Sequence, residues 1–68
     1  PYLCPMKKYI GIKPHDKNGS NIGLIWEEQT NGNYKCINWI DDRELTQEQI
    51  NHDLNLNYLK KYDTNVST

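Results

Sequence analysis

The dipeptide Asn31-Gly32 constrains the fold of this chain more than any other feature of the sequence. It separates two runs, residues 22–30 and 33–40, in which apolar and polar side chains tend to alternate with the period of a β-strand. Asn-Gly favours a two-residue type I′ turn, because both central residues of that turn require a positive φ. The sequence therefore predicts a β-hairpin whose turn is centred on Asn31-Gly32.

A two-residue turn also determines which side chains share a face of the hairpin. The pairs expected on one face are Glu28 with Lys35, Trp26 with Ile37, and Leu24 with Trp39. A shift of one residue would move side chains to the opposite face and distribute the two Trp residues over both sides. We therefore expect Trp26 and Trp39 to lie together on the buried face.

The residues before this hairpin indicate a further strand. Residues 9–13 alternate and are rich in β-branched side chains, so they predict a first strand. Residues 14–21 are rich in turn formers, and Asn18-Gly19 within them is expected to close a second hairpin. The expected sheet is an antiparallel β-meander of two or three strands, preceded by an extended segment at residues 1–8.

Capping signals mark the start of a C-terminal helix. Thr46 is a favoured N-cap residue, and Gln49 stands three residues later, which is the spacing of a capping box. Leu45 precedes the cap and Ile50 follows at the fourth helical position, the arrangement of a hydrophobic staple. These signals predict that the helix begins at residue 47.

The helix is expected to extend over about residues 47–62 and to pack on the Trp face of the sheet. The apolar residues that recur at four-residue steps are Ile50, Leu54, Tyr58 and Tyr62. Residues 54–58 alternate in the manner of a strand and contain Asn, a poor helix former. Lys60 and Lys61 nevertheless suit a helix C-terminus, because cations interact favourably with its dipole. Residues 63–68 are expected to form a frayed tail.

Together these elements predict a single small α+β domain over residues 1–68. The core of so short a chain rarely supplies more than about 3–5 kcal/mol of net stability. Two Trp and five Tyr residues argue against disorder, since they supply large areas that can be buried. Nine Asn, seven Ile and seven Lys residues favour an A/T-rich coding genome, which is that of a low-GC bacterium, its phage or plasmid, or an A/T-rich eukaryote.

The sequence contains no constellation that predicts catalysis, a metal site or a cofactor. The residues able to ligate zinc are Cys4, His15, Cys36 and His52. Structural zinc sites usually use a close pair such as Cys-x2-Cys, and no two of these four residues are that close. Nucleophile-elbow, metal-binding-helix and phosphate-loop motifs are also absent from the sequence. We therefore predict a protein that is not an enzyme and has no cofactor.

The cysteines leave two localisations open. We expect the protein in the cytoplasm of a bacterial host and not in a membrane, since no apolar run approaches the ~18 residues of a membrane span. A disulfide between Cys4 and Cys36 would instead indicate a secreted protein, because disulfides persist in oxidising compartments.

The expected function is binding to another protein, in the manner of an inhibitor of a host or defence protein encoded by a phage or mobile element. Carboxylates cluster between residues 41 and 53, and tyrosines are enriched at binding hot spots. Tyr34 and Tyr62 are expected to be exposed. The predicted interface residues are Tyr34, Asp41, Asp42, Glu44, Glu48 and Tyr62.

The sequence leaves two alternatives to the protein-binding function open. The basic and aromatic residues of the first third predict a binding site for single-stranded nucleic acid or a nucleotide, comprising Lys7, Lys8, Tyr9, Lys13, His15 and Lys17. The net charge of −1 and the single Arg argue against this site. The other alternative is a structural component of a larger assembly or a homodimer, with the first strand as an open sheet edge.

Overall fold

The structure is a computed structural model that describes residues 7–15 and 19–62, with the backbone alone described at residues 15, 19 and 20. It contains one helix and seven short strands within these ranges. The elements in chain order are β1 (Lys8–Gly11), β2 (Pro14–His15), β3 (Gly19–Ser20), β4 (Ile25–Glu28), β5 (Tyr34–Cys36), β6 (Glu44–Leu45), α1 (Gln47–Asn55) and β7 (Leu59–Lys61). The predicted extended segment 1–8 and the tail 63–68 lie largely outside the described residues.

Five of the strands form one antiparallel sheet in the order β6-β5-β4-β1-β7. Strands β2 and β3 form a separate two-stranded ribbon, at the position predicted for the second hairpin. The α+β class and the meander β1-β4-β5 are confirmed, but the sheet has two strands more than the sequence predicted. Since β1 lies between β4 and β7, the prediction of an open edge at the first strand is wrong.

The hairpin at Asn31-Gly32 is confirmed, but its turn differs from the prediction. The N–H of Gly32 donates to the carbonyl of Gln29 at 2.9 Å, and the N–H of Gln29 donates to the carbonyl of Asn33 at 2.7 Å. Gly32 has a φ of 89°, whereas Asn31 does not have a positive φ. A type I turn followed by a left-handed Gly closes a three-residue loop, and this combination forms a G1 bulge.

The extra loop residue shifts the register of the whole hairpin by one position. Trp26 pairs with Cys36 and Glu28 with Tyr34, so these four side chains share one face of the sheet. We call it the helix face, because Ile50 of α1 belongs to the same buried cluster as Trp26. The opposite side is the open face. The prediction that Trp39 is buried with Trp26 is wrong, since Trp39 is 70% exposed.

The core lies between the helix face and α1. Its buried members are Tyr9, Trp26, Tyr34, Leu45, Ile50 and Leu59, with Leu24, Cys36 and Leu54 packed against them. The rings of Tyr9 and Tyr34 are tilted at 56° with centroids 5.8 Å apart, a favourable edge-to-face arrangement. Gly11 lies where a Cβ would approach the carbonyl oxygen of Asn21 to 1.9 Å, so only Gly permits this contact.

The start of the helix is as predicted. Thr46 is the N-cap, its hydroxyl accepts the N–H of Gln49 at 3.2 Å, and the Gln49 side chain accepts the N–H of Thr46 at 2.8 Å. Leu45 and Ile50 are both members of the buried cluster. The capping box therefore forms as the sequence indicates, with apolar residues on both sides of the cap.

The end of the helix differs from the prediction, because α1 stops at Asn55 and residues 59–61 form a strand. The N–H of Tyr58 donates to the carbonyl of Asp53, and the N–H of Asn57 donates to that of Leu54. This pair of bonds defines a Schellman motif, whose C′ residue must adopt a left-handed conformation. Asn57 has a φ of 63°, and Asn tolerates that region better than other non-Gly residues. The prediction of a helix to residue 62 is therefore wrong.

The open face carries a row of alternating charges across four strands. Lys8 pairs with Glu27, Glu27 with Lys35, and Lys35 with Glu44. The Lys8 ammonium lies 3.5 Å from the Glu27 carboxylate. Opposite charges at directly paired positions stabilise an antiparallel sheet and disfavour shifted registers.

Substitution of Asn57 tests the end of the helix. We expect Asn57→Ala to lower the free energy of unfolding by about 1 kcal/mol, because Ala loses the tolerance of Asn for positive φ. Asn55→Ala is the matched control and should leave stability unchanged or raise it slightly, since residue 55 is helical and exposed. Urea denaturation of both variants measures the difference. Stabilisation by both substitutions would indicate a helix that continues past residue 57.

Candidate protein-binding site

Two predicted site residues are buried and cannot contact a partner. Tyr34 is fully buried, and its hydroxyl donates to the side-chain carbonyl of Gln47 at 2.8 Å. Burial also raises the pKa of the Tyr34 phenol above its usual value. The prediction that Tyr34 is exposed is therefore wrong. Tyr9 is buried in the same core, so it offers no face on which a nucleotide base could stack.

The predicted acidic residues lie near one edge of the sheet. Asp41 and Asp42 lie between β5 and β6, Glu44 is on the edge strand β6, and Glu48 is in the first turn of α1. The side-chain amides of Asn31 and Asn33 donate to the Glu44 carboxylate and hold its pKa below the usual range. Tyr62 follows β7 at the opposite edge, so the structure does not bring it to this group. The predicted binding role of these carboxylates stays a prediction.

The predicted basic site is only partly described. Lys7 and Lys13 are exposed, and Lys8 pairs with Glu27 on the open face. Lys17 and the side chain of His15 lie outside the described residues. Cys36 is a free cysteine in the structure. Cys4 lies outside the described residues, so the alternative of a disulfide between the two is not tested.

The most exposed large apolar side chains lie in the segment that connects β5 to β6, residues 37–43, which we call the β5–β6 loop. Ile40 is 94% exposed and Trp39 is 70% exposed. Ile37, at the start of the same loop, is about half exposed. The exposure of Trp39 and Ile40 was not predicted from the sequence, and the predicted hairpin register placed Trp39 in the core.

Asn38 fixes the first half of the β5–β6 loop. The N–H of Ile37 donates to the carbonyl of Ile25, which is the last regular bond between these strands. The side-chain oxygen of Asn38 then accepts the N–H of Ile25 at 2.9 Å, and its amide donates to the carbonyl of Gly23 at 2.8 Å. The side-chain amide replaces a backbone peptide group in the ladder, so the main chain can leave the sheet while β4 keeps its hydrogen bonds.

Arg43 fixes the second half. Its guanidinium donates to both carboxylate oxygens of Asp41, with the shortest distance 2.7 Å, and to the side-chain oxygen of Asn21 at 2.9 Å. The same group lies 5.3 Å from the centre of the Trp26 ring, within the range of a cation–π contact. Hydrogen bonding by Arg43 lowers the pKa of Asp41, and the Arg43 pKa is raised in return. The start of the loop is thus bonded to β4, and its end is held by Asn21 and by the ring of Trp26.

A small cleft of about 250 Å³ adjoins Arg43 on the side of α1. Its lining residues are Asn21, Arg43, Leu45, Glu48, Gln49, His52 and Asp53. His52 Nδ1 lies 3.2 Å from the Asp53 carboxylate, and the described lining of the cleft contains no Ser, Thr, Cys or Lys beside them. Within residues 7–15 and 19–62, no group of three or more His, Cys, Asp or Glu side chains is arranged to bind a metal ion.

Comparison of the chain with protein-family models, curated proteins and solved structures finds no match. In the part of the chain that the structure describes, no helix has the length and apolar character needed to cross a membrane. The arguments for function therefore come from the geometry of the chain itself.

The Asp41–Arg43 pair predicts a pH dependence of stability. The Asp41 pKa is below its ordinary value of 3.8 in the folded protein, so folding is favoured while the carboxylate is ionised. This contribution is present above pH 3.8 and is lost as the pH falls through the lower, folded pKa. We expect Asp41→Asn to cost about 1 kcal/mol at neutral pH and much less near about pH 2.

Urea denaturation at both pH values measures this difference. Asp42→Asn is the matched control, because Asp42 is exposed and forms no ion pair with another described residue. An equal loss from both substitutions at neutral pH would show that the pair with Arg43 does not stabilise the loop.

Proposed function

We propose that this chain is a small non-catalytic protein-binding module whose contact surface is the β5–β6 loop. The observation that carries the proposal is the exposure of Trp39 and Ile40 on a loop that is hydrogen-bonded to β4 at its start and to Asn21 at its end. Trp is among the residues most enriched at binding hot spots, because a single indole buries a large area in a partner's pocket.

The anchoring of the loop supports this proposal on energetic grounds. Exposed apolar side chains oppose solubility, and a chain with so small a core could have buried Trp39 to gain stability. Asn38 and Arg43 instead hold the main chain away from the core. A loop already ordered before binding loses less conformational entropy when a partner docks, so more of the contact energy appears as affinity.

The charges beside the apolar pair indicate the chemistry of the partner. Asp42 lies two residues after Ile40 and is exposed, whereas Asp41 is neutralised by Arg43. A complementary site would be an apolar pocket large enough for an indole, with a Lys or Arg at its rim. Rim charges of this kind act mainly on the association rate and lose their effect as salt is raised.

The proposal includes the role of an inhibitor of a host or defence protein, encoded by a phage or mobile element. The small size, the A/T-rich coding signature and the lack of a catalytic constellation support it. An inhibitor acts by occupying a site, so a single preorganised loop is sufficient for the task and no chemistry is needed. Inhibition would be measured on the partner's own activity once that partner is purified.

Trp39→Ala tests the proposed surface. The wild-type chain, immobilised, is used to capture a partner from the source cells, and the purified partner is then titrated calorimetrically with each variant. We expect Trp39→Ala to weaken binding at least 30-fold, corresponding to the loss of about 2 kcal/mol at a hot spot. Lys13→Ala, an exposed change away from the loop, should leave affinity unchanged. Equal affinities of wild type and Trp39→Ala would remove the loop from the interface.

A substitution of Asn38 tests whether the order of the β5–β6 loop before binding contributes to affinity, apart from the contacts that Trp39 and Ile40 make. Asn38→Ala removes both bonds that tie the loop to β4 but leaves Trp39 and Ile40 in place. We expect affinity for the same partner to fall about tenfold, with a more unfavourable entropy of binding, because the loop must then be ordered on docking. Near-ultraviolet circular dichroism verifies that the core remains folded. An unchanged binding entropy would contradict the preorganisation argument.

A further inference from the structure

The two edges of the sheet, as formed by residues 7–15 and 19–62, carry opposite charges. Strand β6 forms one edge and presents Glu44, whose side chain is exposed. Strand β7 forms the other edge and presents Lys60 and Lys61, both exposed. Open edges have backbone N–H and C=O groups without a strand partner, so each is a template for pairing with another strand.

The row of charges on the open face ends at the acidic edge. It runs from Lys8 on β1 through Glu27 and Lys35 to Glu44 on β6, with alternating sign at every step. Glu44 has Lys35 on its inner side, and no strand formed by the described residues lies on its outer side. The next position that continues the alternation is a cation on an added strand.

An open groove adjoins β6 and is lined by Arg43, Glu44, Leu45 and Gln49. The helix α1 begins at Gln47, immediately after β6, and it leaves this groove accessible. At the opposite edge, β7 is the last strand of the sheet within the described residues.

Charge decides which edges can meet. Two β7 edges would bring four lysines together, and two β6 edges would bring their carboxylates together, so both symmetric contacts are repulsive. We propose that the β6 edge of one copy receives the β7 edge of a second copy, which gives head-to-tail self-association of this chain. A head-to-tail contact leaves one edge free at each end, so it produces open chains of copies unless the rotation closes a ring.

The size of the edges determines how strong the contact is. Strands β6 and β7 have two and three residues, so they exchange few hydrogen bonds. The lysines on β7 oppose pairing with the β7 edge of another copy, as charged residues on edge strands usually do. They favour pairing with an edge that carries carboxylates. Association is therefore weak, appears only in concentrated solution, and decreases as salt screens the charges.

Sedimentation velocity over a hundredfold range of protein concentration tests the inference, at low salt and at about 0.5 M salt. We expect the weight-average sedimentation coefficient to rise with concentration at low salt and to remain that of a monomer at high salt. A wild-type protein that stays monomeric at low salt throughout this range would overturn the inference.

Charge reversal identifies the edges. The variant Glu44→Lys has two basic edges, and the double variant Lys60→Glu with Lys61→Glu has two acidic edges, so each alone should stay monomeric. An equimolar mixture of the two should associate, because every contact then joins a basic edge to an acidic one. Circular dichroism of each variant verifies folding, and a folded pair that remains monomeric when mixed would contradict the assignment of the edges.

Two control variants test whether self-association has a cause other than the contact between the β6 and β7 edges. Lys13→Glu changes the net charge by the same amount as a single edge reversal, at an exposed site outside the edges, and should associate as wild type does. Trp39→Ala should also associate normally, because the β5–β6 loop is a different surface. Loss of association in either control would overturn the inference in favour of net charge or of the loop.

Discussion

The left-handed conformation of Gly32 is the constraint on which the rest of the sheet depends. It closes a three-residue loop instead of a two-residue one, and the extra residue sets the register of β4 against β5. That register puts Trp26 and Tyr34 on the helix face and aligns the charges of the open face. Because strand side chains alternate, one residue of loop length decides the location of every side chain in the hairpin.

The exposed pair Trp39 and Ile40 follows from the same register. In this register Cys36 is paired with Trp26 and ends β5, so Trp39 lies beyond the strand. The side chain of Asn38 forms the hydrogen bonds to Ile25 and Gly23 that the departing main chain no longer makes. Arg43 then closes the loop by joining Asp41 to Asn21 above the ring of Trp26. The core and the proposed binding surface are therefore coupled through one cation–π contact and a few polar bonds.

Local signals were reliable where one or two neighbouring residues carry the interaction. The capping box at Thr46 and Gln49 and the existence of the Asn31-Gly32 hairpin were predictable, since both depend on side chains close in sequence. The end of the helix was also encoded locally, because Asn57 suits the left-handed position of a Schellman motif. The alternation of residues 54–58 was a second sign that the helix ends there, although four-residue spacing outweighed it in the prediction.

The sequence by itself determined the α+β class, the hairpin and the first turn of the helix, because turn chemistry and capping act over a few residues. Only the tertiary structure decided the register, the pairing of β7 with β1, the burial of Tyr34 and the exposure of Trp39. These depend on contacts between residues distant in sequence, such as Tyr9 with Tyr34 and Arg43 with Trp26. Periodicity does not distinguish two registers one residue apart when both bury a Trp. The three-residue loop closed by Gly32 and the packing of the helix face against α1 together select between them.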